Sequence, residues 1–296
     1  MTLKPKIIGT GLSGLVGSRV VELLQDRLEF VDFSLETGIN LLDQQNLSTA
    51  FSSHQDATAI LHLAAFTDTG AAWLQRGDKS APCYQVNVIG VQNLLELAKK
   101  YHKYFINIST DFVFDGTTDG KYTEESTPNP IEWYGQTKYE AEKLVSASGV
   151  SFSTVRLAFP YRAKFEPKKD LIRKLIDNFK SGNLYPMFTD QITTPTFIDD
   201  IALALGYILD NQPNGIFHVV GSSSQSPYQM AQMIADTFDF DKLLVKEGSL
   251  VDFVASQPPD SRPWQKNLSL SNKKISDLGI KMKTLSEGLQ TLKTQL

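Results

Sequence analysis

TGLSGLVG, residues 10–17, lies between a short apolar run (Ile7, Ile8) and a segment in which Val16, Val20, Leu23 and Leu24 recur at helical spacing. Strand, glycine turn and helix in that order give each glycine a task. Gly11 permits a tight turn, Gly14 lets backbone approach a diphosphate, and Gly17 lets the helix sit close to its strand. The unpaired N–H groups and positive end of that helix favour an anion. The turn points to a dinucleotide site at the start of a βαβ array.

Working outward, the pattern predicts a first strand over Lys6–Thr10 and a helix over Leu15–Arg27. The second strand, Glu29–Phe33, carries Asp32 about twenty residues beyond the first glycine, where a carboxylate can accept from the adenosine ribose hydroxyls. The alternative is a carboxylate that merely caps a strand–loop junction. No arginine or lysine follows to welcome a 2′-phosphate, so NAD(H) is favoured, with NADP(H) left open. A third strand over Thr58–Leu63 ends in His62-Leu63-Ala64-Ala65-Phe66, small enough to leave room for a flat ligand. Pro82–Lys100 reads as one helix, in which Asn87 and Asn93 are structural hydrogen-bonders. Phe105–Ser109 is the fourth strand, with Ser109-Thr110-Asp111 at its carboxyl end. The polar stretch Phe114–Pro130 is a loop long enough to be functional. A helix from near Trp133 sets Tyr134 and Lys138 on one face, four residues apart. Phe152–Leu157 is the next strand, and the alternation calls for a parallel sheet.

The character changes from Phe159. Arg162–Lys174 holds six basic residues against two acidic ones, either a solvated helical face or a phosphate-facing patch. Pro195–Asp210 returns to an Ala- and Leu-rich helix, Gly215–Val220 is a strand, and Ser226-Pro227 opens another helix as N-cap and N1. The tail from Leu250 to Leu296 reads as a polar, proline-containing segment with Arg262-Pro263, a short apolar piece and a closing helix. The fold class expected is α/β: a doubly wound parallel sheet of Rossmann type with a smaller C-terminal α/β substrate domain. Residues 1–157 with about 191–212 form the dinucleotide-binding part, and 158–190 with 213–296 the substrate-binding part.

Composition sets the outer limits. The 296 residues, 41% of them hydrophobic, allow one large α/β domain or two joined ones. A net charge of −4 argues against a broad nucleic-acid surface. The single cysteine, Cys83, leaves no intrachain disulfide and no cysteine metal cluster. The four histidines (His54, His62, His102, His218) lack metal-site spacing, so no protein metal site is expected. The apolar run Ile201–Leu209 is too short to span a bilayer, and glycines interrupt the stretch after Lys4 and Lys6 that could mimic a signal peptide. A cytoplasmic protein without membrane or nucleic-acid partners is the expectation.

Thr110, Tyr134 and Lys138 suit hydride transfer at a carbinol or ketone carbon. A phenol with a reference pKa near ~10 is poorly matched to neutral pH, and an ammonium nearby, assisted by the positive nicotinamide ring of the oxidised cofactor, favours the phenolate. Lys138 can also bind nicotinamide ribose hydroxyls, while Thr110 can donate to the substrate oxygen that Tyr134 protonates. Y-x-x-x-K alone could be an exposed pair; behind a glycine turn and a strand ending in Ser-Thr it carries weight.

Through TGLSGLVG, HLAA (62–65), STD (109–111) and YGQTK (134–138), the chain resembles the extended short-chain dehydrogenase/reductases. STDFVFDG (109–116), DQITTPT (190–196) and Arg262-Pro263 ahead of Leu268-Ser269 make it most similar to the dTDP-4-dehydrorhamnose reductases and their relatives. The resemblance implies that Gly11, Ser13, Gly14, Leu15, Val16 and Gly17 line the cofactor, with Gly14, Leu15 and Val16 along its diphosphate. Asp32 would meet the adenosine ribose, Asn40 and Leu41 the adenine, and Ala64, Ala65 and Phe66 the nicotinamide side. Thr110 and Asp111 would meet the sugar, Tyr134 would be proton donor with Lys138 its partner, and both would touch the cofactor. Phe159 stands where the reductases usually carry tryptophan in the sugar pocket, and Arg262 would meet the substrate diphosphate. The implied activity is NAD(P)H-dependent reduction of a nucleotide-linked 4-keto-6-deoxy sugar, with a homodimer as a possible assembly. The alternatives are an NAD-dependent nucleotide-sugar 4-epimerase, whose relatives share Thr10, LVGS and His62, and a non-catalytic subunit resembling the methionine adenosyltransferase beta subunit. Asp111-Phe112, where dehydratases place Asp-Glu, argues against dehydration.

Overall fold

The computed structural model describes residues 3–296, so the first two residues of the expected dinucleotide-binding part lie outside it. Six parallel strands form the centre: β1 (Lys6–Thr10), β2 (Glu29–Asp32), β3 (Ala59–His62), β4 (Tyr104–Thr110), β5 (Phe152–Leu157) and β6 (Gly215–His218). They lie in the order 2-1-3-4-5-6. Successive side chains alternate between faces, so Ile7, Leu61 and Ile106 enter one core while Ile8, Ile60 and Phe105 enter the other. A sheet apolar on both faces needs helices on both. The first face is covered by α1 (Gly17–Leu24) through Val20 and Leu24, with Ile201, Leu205 and Ile208 from the Ile198–Asn211 helix. The second is covered by α2 (Gln44–Ser52), α3 (Gly90–Lys100) and α4 (Trp133–Ala147), through Leu47, Leu94, Ala141 and Val145. Each fully buried side chain of this kind contributes about 1.5–3 kcal/mol. The chain runs from β1 to β2 on one side and from β2 across to β3 on the other, which opens a crevice at the carboxyl ends of β1 and β3.

A further core gathers α5 (Leu171–Ser181), α7 (Pro227–Phe238) and α8 (Leu285–Gln295) about Phe179, Met187, Phe197, Met230, Ile234 and Leu289, with the Ile198–Asn211 helix, α6, starting directly after Phe197. Ser226 and Gln229 close a capping box on α7, with Pro227 at its first position as read from the sequence.

Four local expectations are corrected. The first helix starts only at Gly17, because Leu15 and Val16 belong to the glycine turn. Pro82–Lys100 is not one regular helix: a π-turn over Gln85–Ile89 separates Pro82–Tyr84 from α3. The tail contains a helix over Leu250–Ser256, opened by the Ser249 N-cap, where a polar proline-containing segment was expected. In Arg162–Lys174 the four lysines, Lys164, Lys168, Lys169 and Lys174, are solvated, but most of the stretch is not helical and its two arginines are buried. Helix begins only at Leu171, Arg162 is spent on Ser18 (2.8 Å) and Glu22 (2.8 Å), and Arg173 on Asp170 (2.6 Å) and two backbone carbonyls.

Candidate active site

The glycine turn leaves the end of β1 under tight steric control. Gly11 has φ of 67°, and a Cβ there would lie 2.7 Å from the Ala64 nitrogen, so no side chain is tolerated. A Cβ on Gly17 would overlap the Gly11 carbonyl and crowd Leu12. Its task is therefore to close the turn on itself rather than to dock the helix against its strand. Ser13 is exposed, Gly14, Leu15 and Val16 half-buried, and Leu15 and Val16 rest on the core beneath.

At the end of β2, Asp32 takes one hydrogen bond from Ser34 (2.8 Å), while its Oδ1 is buried without a partner among the described residues. A buried carboxylate oxygen left open needs a donor, and a ribose hydroxyl is such a donor. The adjoining loop is fixed by polar contacts. Asn40 Oδ1 accepts from the Leu42 N–H (3.0 Å), and Asn93 Nδ2 donates to the Leu41 carbonyl (2.9 Å). Across the crevice, Ala64, Ala65 and Phe66 are half-buried. Asn87, in the π-turn, brackets Phe66: its Oδ1 accepts from the Phe66 N–H (2.8 Å), and its Nδ2 reaches the Phe66 carbonyl (3.2 Å) and Thr137 Oγ1 (3.0 Å). Both asparagines are structural, as read. The open Asp32 oxygen and a turn that tolerates no side chain at Gly11 fit a dinucleotide.

Tyr134 and Lys138 lie on the first turns of α4, both buried, with Thr110 at the end of β4. The helix start is set by Glu132, fully buried, whose carboxylate accepts from the Tyr134 N–H (3.0 Å) and the Gly135 N–H. Sequence reasoning passed over Glu132, although an acidic residue just before a helix is a recognisable capping signal.

The chain's own charges do not bring the phenol down. Burial, with the carboxylates of Asp111 and Glu132 beside it, pushes the Tyr134 phenol above its ordinary range. Lys138 does not overcome them. Its own ammonium is pushed down to about 8 by burial, against the pull of Glu142 and Cys83. Burial likewise raises Asp111 and Glu132 to about 7, opposed for Asp111 mainly by Thr110 and for Glu132 by the Gly135 N–H and Arg262. The Thr110 hydroxyl donates to Asp111 Oδ1 (2.9 Å), so its proton is already engaged rather than free for a substrate oxygen. Asp111 Oδ2 is buried and open.

Beside this cluster is a cavity of about 800 Å³. Of the residues expected to meet substrate, Phe159 and Arg262 line it; Thr110 and Asp111 do not. Phe112 stands between cavity and phenol, its ring 5.9 Å from that of Tyr134 and 6.4 Å from that of Phe159. Arg262 stacks on Trp264 at 4.5 Å and leaves Nη1 buried without an acceptor among the described residues. Phe188, Phe253 and Trp264 form an aromatic cluster on the cavity wall with centroids 5.3–6.3 Å apart. It went unread because its members come from three separate segments. Among the described residues, no group of His, Cys, Asp and Glu could hold a metal ion, and no helix is long and apolar enough to cross a membrane.

Residues 5–296 match the family described as RmlD substrate binding domain. The chain is 28% identical to the probable low-salt glycan biosynthesis reductase Agl14 of Haloferax volcanii, covering 96% of this chain and 95% of that protein. It is 29% identical to the dTDP-4-dehydrorhamnose reductase of Aggregatibacter actinomycetemcomitans, over 81% of each. It is also 28% identical to methionine adenosyltransferase 2 subunit beta of Rattus norvegicus, covering 94% of this chain and 84% of that one. The crystal structure of a dTDP-4-dehydrorhamnose reductase from Bacillus anthracis, in complex with NADP, has the same fold, with TM-score 0.88 and 23% identity over 99% of this chain and all of that one.

Proposed function

The chain belongs to the RmlD substrate binding domain family, and from that premise we propose that it is an NAD(P)H-dependent reductase of a nucleotide-linked 4-keto-6-deoxy sugar. The observation that carries the proposal is the convergence of Tyr134, Lys138 and Thr110 at the carboxyl end of β4, between the glycine-turn crevice and an aromatic cavity. The nicotinamide, when bound, supplies the hydride. Tyr134 supplies the proton that the resulting alkoxide oxygen needs. Held protonated by burial, with Asp111 and Glu132 beside it, Tyr134 is in the state that donation starts from. Lys138 would hold ribose hydroxyls, and Asp32 the adenosine ribose. The carboxylate of Asp32, followed by no cation through Leu41, supports NAD(H) as the preferred form. Arg262, with an open Nη1, would meet the substrate's diphosphate.

The test is oxidation of NADH and NADPH by the purified protein with dTDP-4-dehydro-6-deoxy sugars. Stoichiometric oxidation with formation of the 4-alcohol is expected. Cofactor that stays bound and is returned unchanged while the sugar is inverted would overturn reductase in favour of epimerase. Likeness to methionine adenosyltransferase 2 subunit beta favours a second reading, a regulatory NAD(P)-binding partner. No sugar turnover, together with a stable complex with the transferase, would support that one.

A further inference from the structure

Four polar residues form a single line across the centre of the sheet. Strand register pairs Thr10 with His62, His62 with Asn107, and Asn107 with Thr154, so all four project from the face that α4 covers. None is more than 1% exposed. His62 Nε2, both carboxamide atoms of Asn107 and Thr154 Oγ1 have no hydrogen-bond partner among the described residues. Flipping the Asn107 amide changes nothing, since both ends are open. Buried polar atoms are almost always satisfied, and a cluster of them without protein partners is where internal water resides.

The state of His62 follows from its other nitrogen. Thr10 Oγ1 accepts from the Ala64 N–H (3.1 Å), so its own proton is free for His62 Nδ1 at 2.7 Å. The imidazole then carries its proton on Nε2, as a donor with nothing to donate to. Burial and the nearby Lys138 ammonium hold the ring's pKa down to about 3, so it stays neutral. Lys138, itself buried on α4, enters no ion pair among the described residues. The Lys138 charge is felt at the ring, and an acceptor in the row would satisfy the Nε2–H that the sheet leaves open.

We propose that the Thr10–His62–Asn107–Thr154 row is an internal water site, in which ordered water accepts from His62 Nε2–H and from the Lys138 ammonium and donates to Asn107 Oδ1. His62 and Asn107 are then positioning residues that act through Lys138: they hold the water that solvates its charge from below. The charged and titratable groups about Lys138 are His62 on β3, Cys83 from the Pro82–Tyr84 turn, and Tyr134 and Glu142 on its own helix, Glu142 being paired with Arg156 of β5. The water site stands on the sheet geometry alone; its bearing on turnover rests on the reductase reading.

The test compares wild type with His62→Leu, which removes the donor, and His62→Gln, which keeps an N–H at similar reach. Ordered density touching His62 Nε2, Asn107 and Lys138 is expected in a high-resolution crystal structure. By NMR titration of the Lys138 side chain, His62→Leu lowers its pKa by about one unit and His62→Gln restores it. The alkaline limb of kcat/KM moves by the same amount. A dry site, or a His62→Leu protein whose Lys138 titrates as in wild type, overturns the proposal. Because the titration and density need no substrate, failure to reduce any sugar would count against the reductase reading without touching this one.

Discussion

Glu142→Ala tests the polar layer beneath α4 most severely. Glu142 accepts from Arg156 Nε (2.9 Å) and Nη2 (2.7 Å), a two-pronged pair whose side chains are 3% and 1% exposed. Arg156 also meets His218 Nε2 (3.2 Å) and lies over the Phe114 ring at 5.0 Å. Removing the carboxylate leaves a guanidinium buried without a counter-charge, which costs about 3–5 kcal/mol. At roughly 2–4 °C per kcal/mol for a chain of this size, the melting temperature falls by about 6–20 °C, read by calorimetry. A second readout is chemical. Glu142 supports the Lys138 ammonium, so its loss moves the alkaline limb of the pH–rate profile below about 8. The double variant Glu142→Leu with Arg156→Met, which removes both charges and fills their volume, should recover most of the stability but not the limb. A single variant melting within ~2 °C of wild type would refute the view that this pair is desolvated in solution.

Further outcomes follow from the site. Tyr134→Phe should lower kcat by about 10²–10⁴-fold while cofactor affinity by calorimetric titration changes little. Asp32→Ser removes the carboxylate that repels a 2′-phosphate, and the NADPH-to-NADH ratio of kcat/KM should rise at least about tenfold. Gly11→Ala, with positive φ and a Cβ driven against Ala64, should abolish cofactor binding or folded yield, read by dinucleotide titration and circular dichroism. Turnover of the wild type should fall as pH rises through about 8, where Lys138 loses the proton that makes it a cation.

Much of this was legible because short-range rules act alone. The limits of β1 and β5, the glycine turn, the shared face of Tyr134 and Lys138, and the Ser226-Pro227 helix start all depend on neighbours within a few residues. What escaped depends on distant partners. Arg162 finds Glu22 from 140 residues away, and no charge count foretells that pairing. The π-turn inserts one residue into an otherwise regular apolar repeat, which periodicity averages away. The direction of the Tyr134 shift depends first on its own burial and then on Asp111 and Glu132 beside it, properties of the assembled fold rather than of the motif.

One contact between distant segments has a kinetic consequence. Trp73 Nε1 donates to the Asp260 carbonyl (2.8 Å), and Arg76 pairs with the Asp260 carboxylate (2.5 Å), clasping the loop that carries Arg262 to the segment that follows Phe66. The walls flanking the two halves of a hydride-transfer complex thus share a fastener. Being solvent-facing, the ion pair is worth only ~0–1 kcal/mol, so it aligns the two walls without locking them. Loosening it should raise the Michaelis constants for cofactor and sugar together, a paired response that damage to either wall alone would not produce.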